Sequence, residues 1–197
     1  MKKILILLCL FYFSGVISAI AQPQCPEGTQ STDVVLTVNN CDYKVIVCYK
    51  CGSETEAGYL SIWGFAKLDP ECEQGWLFQE VVESINNQIM SSGIILTICE
   101  GQTTPCPQTI FFLNQLNDCW RKKLDPYYGI LYYPCLPSDL CTTAFTICWD
   151  GANYVLTEIY NSQSNGYGCP AIMESGVPDP SIPNEESECF SISTPCE

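Results

Sequence analysis

Cysteine is the residue type in this chain that offers the widest range of chemistry. The 197 residues include 15 cysteines and no histidine. Without imidazole, the sequence excludes Ser-His-Asp and Cys-His catalytic groups and every zinc site that contains histidine. The thiols remain able to exchange in redox reactions, to bind a metal, or to pair as disulfides. Fourteen of them lie beyond residue 21 and are the disulfide candidates: Cys25, Cys41, Cys48, Cys51, Cys72, Cys99, Cys106, Cys119, Cys135, Cys141, Cys148, Cys169, Cys189 and Cys196.

The segment Cys48-Tyr49-Lys50-Cys51-Gly52 is the most compact cysteine motif. It follows an apolar strand pattern, as thioredoxin-type redox motifs do, and it also resembles half of a zinc ribbon or rubredoxin site. A site of the latter kind needs a second Cys-x-x-Cys pair, which the sequence lacks. We therefore predict that Cys48 and Cys51 join the disulfide framework, with a redox pair and a metal site as the alternatives.

The spacing Cys-x6-Cys occurs four times, beginning at Cys41, Cys99, Cys141 and Cys189. In a strand, seven residue steps span about 23 Å, whereas a disulfide joins Cα atoms no more than about 7 Å apart. If residues 41–48 and 141–148 are strands, the two cysteines of each segment must therefore bond elsewhere. They also point to opposite faces of the sheet, because seven is odd. The segment 99–106 contains Gly and Pro, so Cys99 with Cys106 is the predicted local pair.

Carboxylates are numerous, but their spacing does not identify a catalytic pair. Glycoside hydrolysis needs two carboxyl groups about 5 to 10 Å apart across a cleft. Glu80 with Glu83, Glu71 with Glu73, and Asp150 with Glu158 satisfy the composition equally well, so we predict no catalytic residues. No cofactor is predicted either. Calcium is the one ion left open, through oxygen ligands of residues 69–73 and 185–188, although neither segment has EF-hand spacing.

Aromatic residues form the third group with binding chemistry. Rigid aromatic rings can stack on sugar rings or anchor a protein partner. Pro126, Gly129 and Pro134 bracket one tyrosine-rich segment as a loop. The predicted ligand patch is Tyr127, Tyr128, Tyr132, Tyr133 and Trp149, and the alternative is that these rings fill a core.

The elements that must position these groups are mostly strands. β-Branched and aromatic runs predict strands at residues 34–38, 43–49, 59–65, 93–99, 109–113, 130–133, 142–149 and 153–160. Asp150-Gly151 and Asn39-Asn40 predict hairpin turns. Apolar residues at every fourth position predict one amphipathic helix over 76–90. Residues 112–123 also fit a helix, in competition with the strand at 109–113.

The two ends of the chain differ from its middle. Residues 1–21 have the Lys-Lys start, apolar run and Ala-x-Ala site of an export signal, and they resemble the signals of Gram-negative, especially Bacteroidota-type, exported proteins. Their removal would take away Lys2 and Lys3 and change the formal charge from −14 to −16. We predict a disulfide-rich domain over 22–175. Residues 176–197, rich in proline and acidic groups, are predicted to form an arm that disulfides tether, or an arm exchanged with a neighbouring subunit.

Short segments recur along the sequence, and they are compatible with two degenerate repeats. Leu36-Thr37-Val38 is echoed by residues 96–98 and 145–147, and Lys67-Leu68-Asp69-Pro70 by residues 123–126. The fold class that follows is a β-rich α+β protein, with disulfide-stapled antiparallel sheets or a sandwich and one helix.

We expect an exported, non-enzymatic structural or interaction protein of the cell surface, extracellular space or periplasm, such as a subunit of an appendage or envelope complex. The strongly acidic balance disfavours nucleic acid and anionic membranes. We expect a protein partner or self-assembly, and no transmembrane span in the processed chain. The first alternative is a carbohydrate-binding or adhesive module that uses the Tyr/Trp patch. The second is an enzyme, either a carboxylate hydrolase or a thiol oxidoreductase.

Overall fold

The computed structural model describes residues 25–72, 75–91, 93–99, 104–136, 139–164, 168–194 and 196. The predicted export signal lies outside these residues. The described chain forms one nine-stranded sheet and two helices, which confirms the β-rich α+β class. The strands are β1 Gln30–Val38, β2 Cys41–Lys50, β3 Gly58–Lys67, β4 Ile110–Asn117, β5 Cys119–Asp125, β6 Gly129–Pro134, β7 Leu140–Trp149, β8 Tyr154–Ser164 and β9 Phe190–Ser191. The helices are α1 Phe78–Ser91 and α2 Ile94–Ile98.

Strand β3 is the branch point of the sheet. One of its edges pairs with β2 along nearly its whole length. The other edge pairs with β4 at Gly58–Ser61, in parallel, and with β6 at Phe65–Ala66, antiparallel. Two arms of the sheet therefore diverge from β3, one continuing through β4, β7 and β8 and the other through β6, β5 and β9.

A glycine permits the parallel half of this branch. A Cβ atom on Gly58 would lie 2.3 Å from Cε1 of Phe112, whose ring covers the start of β3. Any other residue there would displace a buried aromatic ring or the strand itself.

Strands β4 and β5 are consecutive and carry the chain from one arm to the other. Inward-facing residues of β4 alternate with half-buried ones, as a strand requires. The alternative of a helix over 112–123 is therefore wrong. Period-two burial across both arms outweighs the helical spacing of Phe112, Leu116 and Trp120. Trp120 is fully buried, and its indole N–H donates to the carbonyl of Asn117 at 2.8 Å.

Helix α1 packs its buried residues on the face of the sheet that contains the main core, and it confirms the predicted helix, although it begins two residues later and ends one residue later than 76–90. Its buried residues are Val81, Val82, Ile85 and Ile89, and they join the main core with side chains from both arms. Glu80 accepts a hydrogen bond from the Leu77 amide and stabilises the first turn. A smaller cluster around Trp63 lies on the other face.

Both predicted hairpins form. Asn39 and Asn40 adopt positive φ angles of 48° and 64° between β1 and β2, a conformation that asparagine tolerates better than most residues. Between β7 and β8, Gly151 has a φ of 103°, and the Asp150 carboxylate accepts bonds from the amides of Ala152 and Asn153. These amide bonds lower the pKa of Asp150.

The strand predicted over 93–99 is wrong, because Ile94–Ile98 forms the short helix α2. Gly93 enters this helix with a left-handed φ of 68°, and Ile95 is buried in the main core beside α1. Burial of a single side chain here outweighs the β propensity of the isoleucines. Of the three similar segments, 36–38 and 145–147 therefore lie in strands, whereas 96–98 lies in a helix.

The fourteen cysteines form seven disulfides that connect distant parts of the sheet. The pairs are Cys25–Cys48, Cys41–Cys72, Cys51–Cys99, Cys106–Cys148, Cys119–Cys169, Cys135–Cys189 and Cys141–Cys196. No bond joins Cys41 to Cys48 or Cys141 to Cys148, as the extended geometry required. Loops of 23 to 55 residues are closed, and each closure contributes about 2 to 4 kcal/mol to the free energy of unfolding.

The predicted pair Cys99 with Cys106 is wrong. Cys99 ends α2 and bonds to Cys51, whereas Cys106 bonds to Cys148. The Cys106 amide donates to the carbonyl of Trp149 at 2.9 Å, which holds this cysteine beside the end of β7. Pairing with a neighbouring strand therefore prevails over the local turn.

The last residues of the chain return to the β5 side of the sheet. Phe190 is fully buried in the main core, and Phe190–Ser191 pairs with β5 as β9. Disulfides from Cys189 and Cys196 hold this segment to Cys135 and Cys141. Within the part of the chain that the structure describes, no helix is long and apolar enough to cross a membrane.

The packing of α1 predicts the effect of one truncation. Ile85→Ala removes a completely buried side chain at the helix–sheet interface. We expect it to lower the free energy of unfolding by about 2 to 5 kcal/mol in urea denaturation with the disulfides intact. The matched control Leu77→Ala, at a side chain that is 71% exposed, should change it by less than about 0.5 kcal/mol. Equal effects of the two variants would contradict this packing.

Candidate functional site

An aromatic cleft lies on the β6–β5 arm, at the end of the sheet nearest the start of α1. Register places Phe65 of β3, Tyr132 of β6 and Lys122 of β5 side by side across three strands. The rings of Phe65 and Tyr132 stack with their centroids 5.2 Å apart. Tyr43 meets Phe65 edge-on, with centroids 5.9 Å apart. Phe65 and Tyr132 form the stacked part of the cleft floor because neighbouring strands present directly opposed residues on the same face.

The walls of the cleft come from three other segments. Trp76 and Phe78, at the start of α1, stand on one side, and Tyr128 of the β5–β6 turn stands on another. The segment around the short 3₁₀ turn Glu174–Gly176 supplies Glu174 and Asp179. The enclosed volume is about 510 Å³, within the range of small-ligand sites.

Lys122 anchors the acidic wall. Its ammonium group is almost fully buried and donates to Asp179 Oδ1 at 2.7 Å and to the Val177 carbonyl at 2.9 Å. It also lies 2.6 Å from Glu174 Oε1. Burial disfavours the charged amine, but the bonds to Asp179 and Glu174 outweigh burial and raise the pKa of Lys122.

Tyr132 is coupled to the same carboxylates. Burial, together with the negative charges of Glu174 and Asp179, raises the pKa of Tyr132 well above its usual value of 10.0. Its hydroxyl stays protonated and bonds to Glu174, so the cleft floor presents a neutral phenol. Lys67 stands beside Tyr43 at the far rim and donates to the carbonyl of Cys72 at 2.7 Å.

The structure brings together two of the five residues of the predicted ligand patch. Tyr128 and Tyr132 line the cleft. Tyr133 follows Tyr132 in β6 and therefore faces the opposite side of the sheet, where the Arg121 guanidinium lies 5.8 Å from its ring. Tyr127 is exposed at the turn, and Trp149 lies on the other arm, 4.5 Å from the ring of Tyr154.

Sequence reasoning missed most of the cleft. Of its other lining groups, Trp76 carried the one visible signal, an aromatic residue just before a helix. Phe65 and Tyr43 lie in predicted strands, and nothing in the sequence around them indicates a binding site. Glu174 and Asp179 are placed by the return of the chain onto β5, which no local pattern reveals.

The Cys-x-x-Cys motif is divided between two disulfides, as its structural interpretation predicts. Cys48 bonds to Cys25, and Cys51 to Cys99. Among the described residues, one cluster has the spacing of metal ligands, the sulfur atoms of Cys119, Cys135 and Cys189. All three sulfurs belong to disulfides, so they are not thiolates in this oxidised protein.

Several of the nominated carboxylates accept local hydrogen bonds. Asp69 accepts the Glu71 amide, and Glu185 accepts the amides of Ser181 and Ile182. Glu186 bonds to Arg121 at 2.8 Å. The bonds of Glu80 and Asp150 belong to a helix start and a turn, as described above. Glu73 lies outside the described residues, and calcium binding stays a prediction.

The opposite arm ends in a second candidate surface. Strand β8 is eleven residues long and exposed along its whole length. It pairs with β7 on one edge, and the described residues pair no strand with its other edge. Its large apolar side chains that are exposed are Tyr154, Val155, Leu156, Ile159 and Tyr160.

Comparisons of the chain with protein-family models, curated proteins and solved structures found no match. The seven disulfides themselves indicate a stable protein of an oxidising, extracytoplasmic compartment.

The raised pKa of Lys122 predicts loss of stability in alkali. Below pH 10.5, the folded and unfolded chains both hold this proton, so the stabilisation is complete. As the pH rises further, the unfolded chain loses the proton first, and the free energy of unfolding falls. Tyr132, whose pKa is also raised, acts in the same direction.

We expect Lys122→Met to make this fall shallower between pH 10 and 11.5, measured by urea denaturation at each pH. Lys50→Met, which removes an exposed partner of Glu56, serves as the control and should keep the wild-type slope. A wild-type slope in Lys122→Met would contradict the assignment.

Proposed function

We propose that this protein is an exported, non-enzymatic structural protein that assembles with a second copy of itself by pairing the free edges of two β8 strands. The observation that carries the proposal is the long, exposed and largely uncharged edge of β8. Such an edge presents unpaired backbone donors and acceptors and is a template for strand addition. Monomeric proteins commonly protect these edges with lysine, proline, β-bulges or covering loops. Strand β8 contains neither lysine nor proline, and residues 154–158 precede its one register shift.

The regular half of β8 is its first five residues. The β7–β8 register shifts at Ala144/Phe145, which leaves Ile159 without an opposite residue in β7 and bends the strand there. Residues 154–158 precede this bulge and contain three of the exposed apolar side chains. An antiparallel pair centred on Leu156 places Val155 opposite Thr157 of the second copy.

Charge placement is compatible with this pairing. Glu158 is the one charged residue of β8, and the same register places it opposite Tyr154 of the second copy, away from the other Glu158. The formal charge of −14 opposes association at long range. Salt reduces that repulsion, because the screening length falls from about 8 Å at physiological ionic strength to about 3 Å at 1 M.

The disulfide framework supports the extracytoplasmic setting of this proposal. Seven cross-links resist unfolding where proteases and shear act on a protein, and they suit a cell-surface, extracellular or periplasmic component of a Gram-negative-type bacterium. A role without catalysis agrees with the pairing of all fourteen cysteines as disulfides and with the local hydrogen bonds of Glu80, Glu83, Asp150 and Glu158.

Val155→Glu should abolish self-association. It replaces an exposed apolar residue, 40% accessible, with a charge at the proposed interface. We expect wild-type protein to sediment as a dimer that tightens as NaCl rises from 0.05 to 0.5 M, and Val155→Glu to sediment as a monomer at every salt concentration.

The matched control is Val35→Glu on β1, another edge strand, where Val35 is 61% exposed. It should leave the dimer intact. A wild-type monomer at all concentrations and salts would overturn the proposal. Loss of the dimer in Val35→Glu together with its retention in Val155→Glu would overturn it as well.

A further inference from the structure

We propose that the aromatic cleft on the β6–β5 arm is a binding site for a neutral glycan, occupied by pyranose rings. The site lies on the opposite arm from β8, so it is independent of the proposed self-association. The cleft combines three features that suit such a ligand: aromatic rings, a rim of hydrogen-bonding groups, and equal numbers of positive and negative side chains.

Exposed aromatic faces at the mouth of the cleft provide the apolar contact. Trp76 is 41% exposed although its neighbours in the cleft wall are packed, so part of its indole faces solvent. Tyr128 stands across the turn, and its hydroxyl accepts a hydrogen bond from the Lys44 ammonium at 2.9 Å, which fixes the position of the side chain. The C–H face of a sugar ring is apolar and flat, so it packs on the exposed part of an aromatic ring such as Trp76.

Hydrogen-bonding groups surround these rings. Asp179 bonds to Lys122 through Oδ1, and its side chain is 61% exposed, so acceptor capacity remains on the solvent side. Glu174 and Tyr132 lie deeper, and Lys67 lies at the other rim. Acceptors and donors placed around an apolar floor are what a polyhydroxylated ring requires for orientation.

The charges at the cleft select a neutral ligand. Two ammonium groups, Lys67 and Lys122, accompany two carboxylates, Glu174 and Asp179, so the wall has no formal net charge. Both carboxylates contact the buried Lys122, and Lys67 at the other rim supplies the second positive charge. An anionic ligand would meet Asp179 at the mouth, and a cationic ligand would compete with Lys122. Neutral hydroxyl groups bond to either sign without that cost.

The test is calorimetric titration of the full disulfide-bonded protein with hexasaccharides. The neutral probes are gluco-, manno-, xylo- and galacto-oligosaccharides, and an oligogalacturonate serves as the anionic comparison. We expect one or more neutral probes to bind and the anionic probe not to bind. Trp76→Ala should weaken binding about tenfold or more, and Asp179→Ala should weaken it several-fold.

Trp149→Ala is the matched control, since it removes an indole on the other arm and should leave the affinity unchanged. Circular dichroism spectra that match the wild type, together with an intact mass that shows seven disulfides, verify that each variant is folded. Three results would each overturn the proposal: no binding of any neutral probe at millimolar concentration, tighter binding of the anionic probe, or wild-type affinity in both Trp76→Ala and Asp179→Ala.

Discussion

The structure depends on the division of one edge of β3 between two partners. Because β4 takes the first half of that edge and β6 takes the second, the sheet cannot continue as a single flat layer. Its two arms diverge, and β4 and β5 reconnect them as consecutive strands. Helix α1 packs on one face of this divided sheet, and the main core that it joins contains residues from both arms. The close approach of Phe112 to Gly58 is the most constrained contact of this branch.

The two candidate surfaces follow from this division. On one arm, the short β5 and β6 strands leave the end of the sheet open, and the returning chain lays Glu174 and Asp179 beside it. On the other arm, β7 extends into a hairpin whose outer strand β8 pairs with no described strand on its outer edge. Disulfides hold both arms to segments far away in sequence, so each surface is presented by a rigid framework. We regard one as the assembly surface and the other as the ligand surface.

Much of the local structure could be predicted from the sequence. Asn39-Asn40 and Asp150-Gly151 specified their hairpins because few other residues adopt these turn conformations. The four-residue spacing along α1 specified Val81, Ile85 and Ile89 of its buried stripe, whereas Leu77, which shares the spacing, precedes the helix and is exposed. Strand length alone excluded disulfides between Cys41 and Cys48 and between Cys141 and Cys148.

Long-range features were not predictable in this way. Residues 94–98 form a helix in which Ile95 is buried in the main core. Cys106 bonds to Cys148 because the end of β7 lies beside it. The cleft escaped prediction because alternate residues of β6, Tyr132 and Tyr133, face opposite sides of the sheet.

Amide hydrogen exchange followed by mass spectrometry, at low and high protein concentration, tests the divided sheet and its open arm most directly. We predict that amides of β3, which is paired on both edges, exchange much more slowly than those of the edge strand β8 in dilute protein. We also predict that peptides covering residues 154–158 exchange rapidly in dilute protein and become protected in concentrated protein. Equal exchange of β3 and β8 would contradict the branch at β3. Rapid exchange of residues 154–158 at both concentrations would contradict the assembly surface.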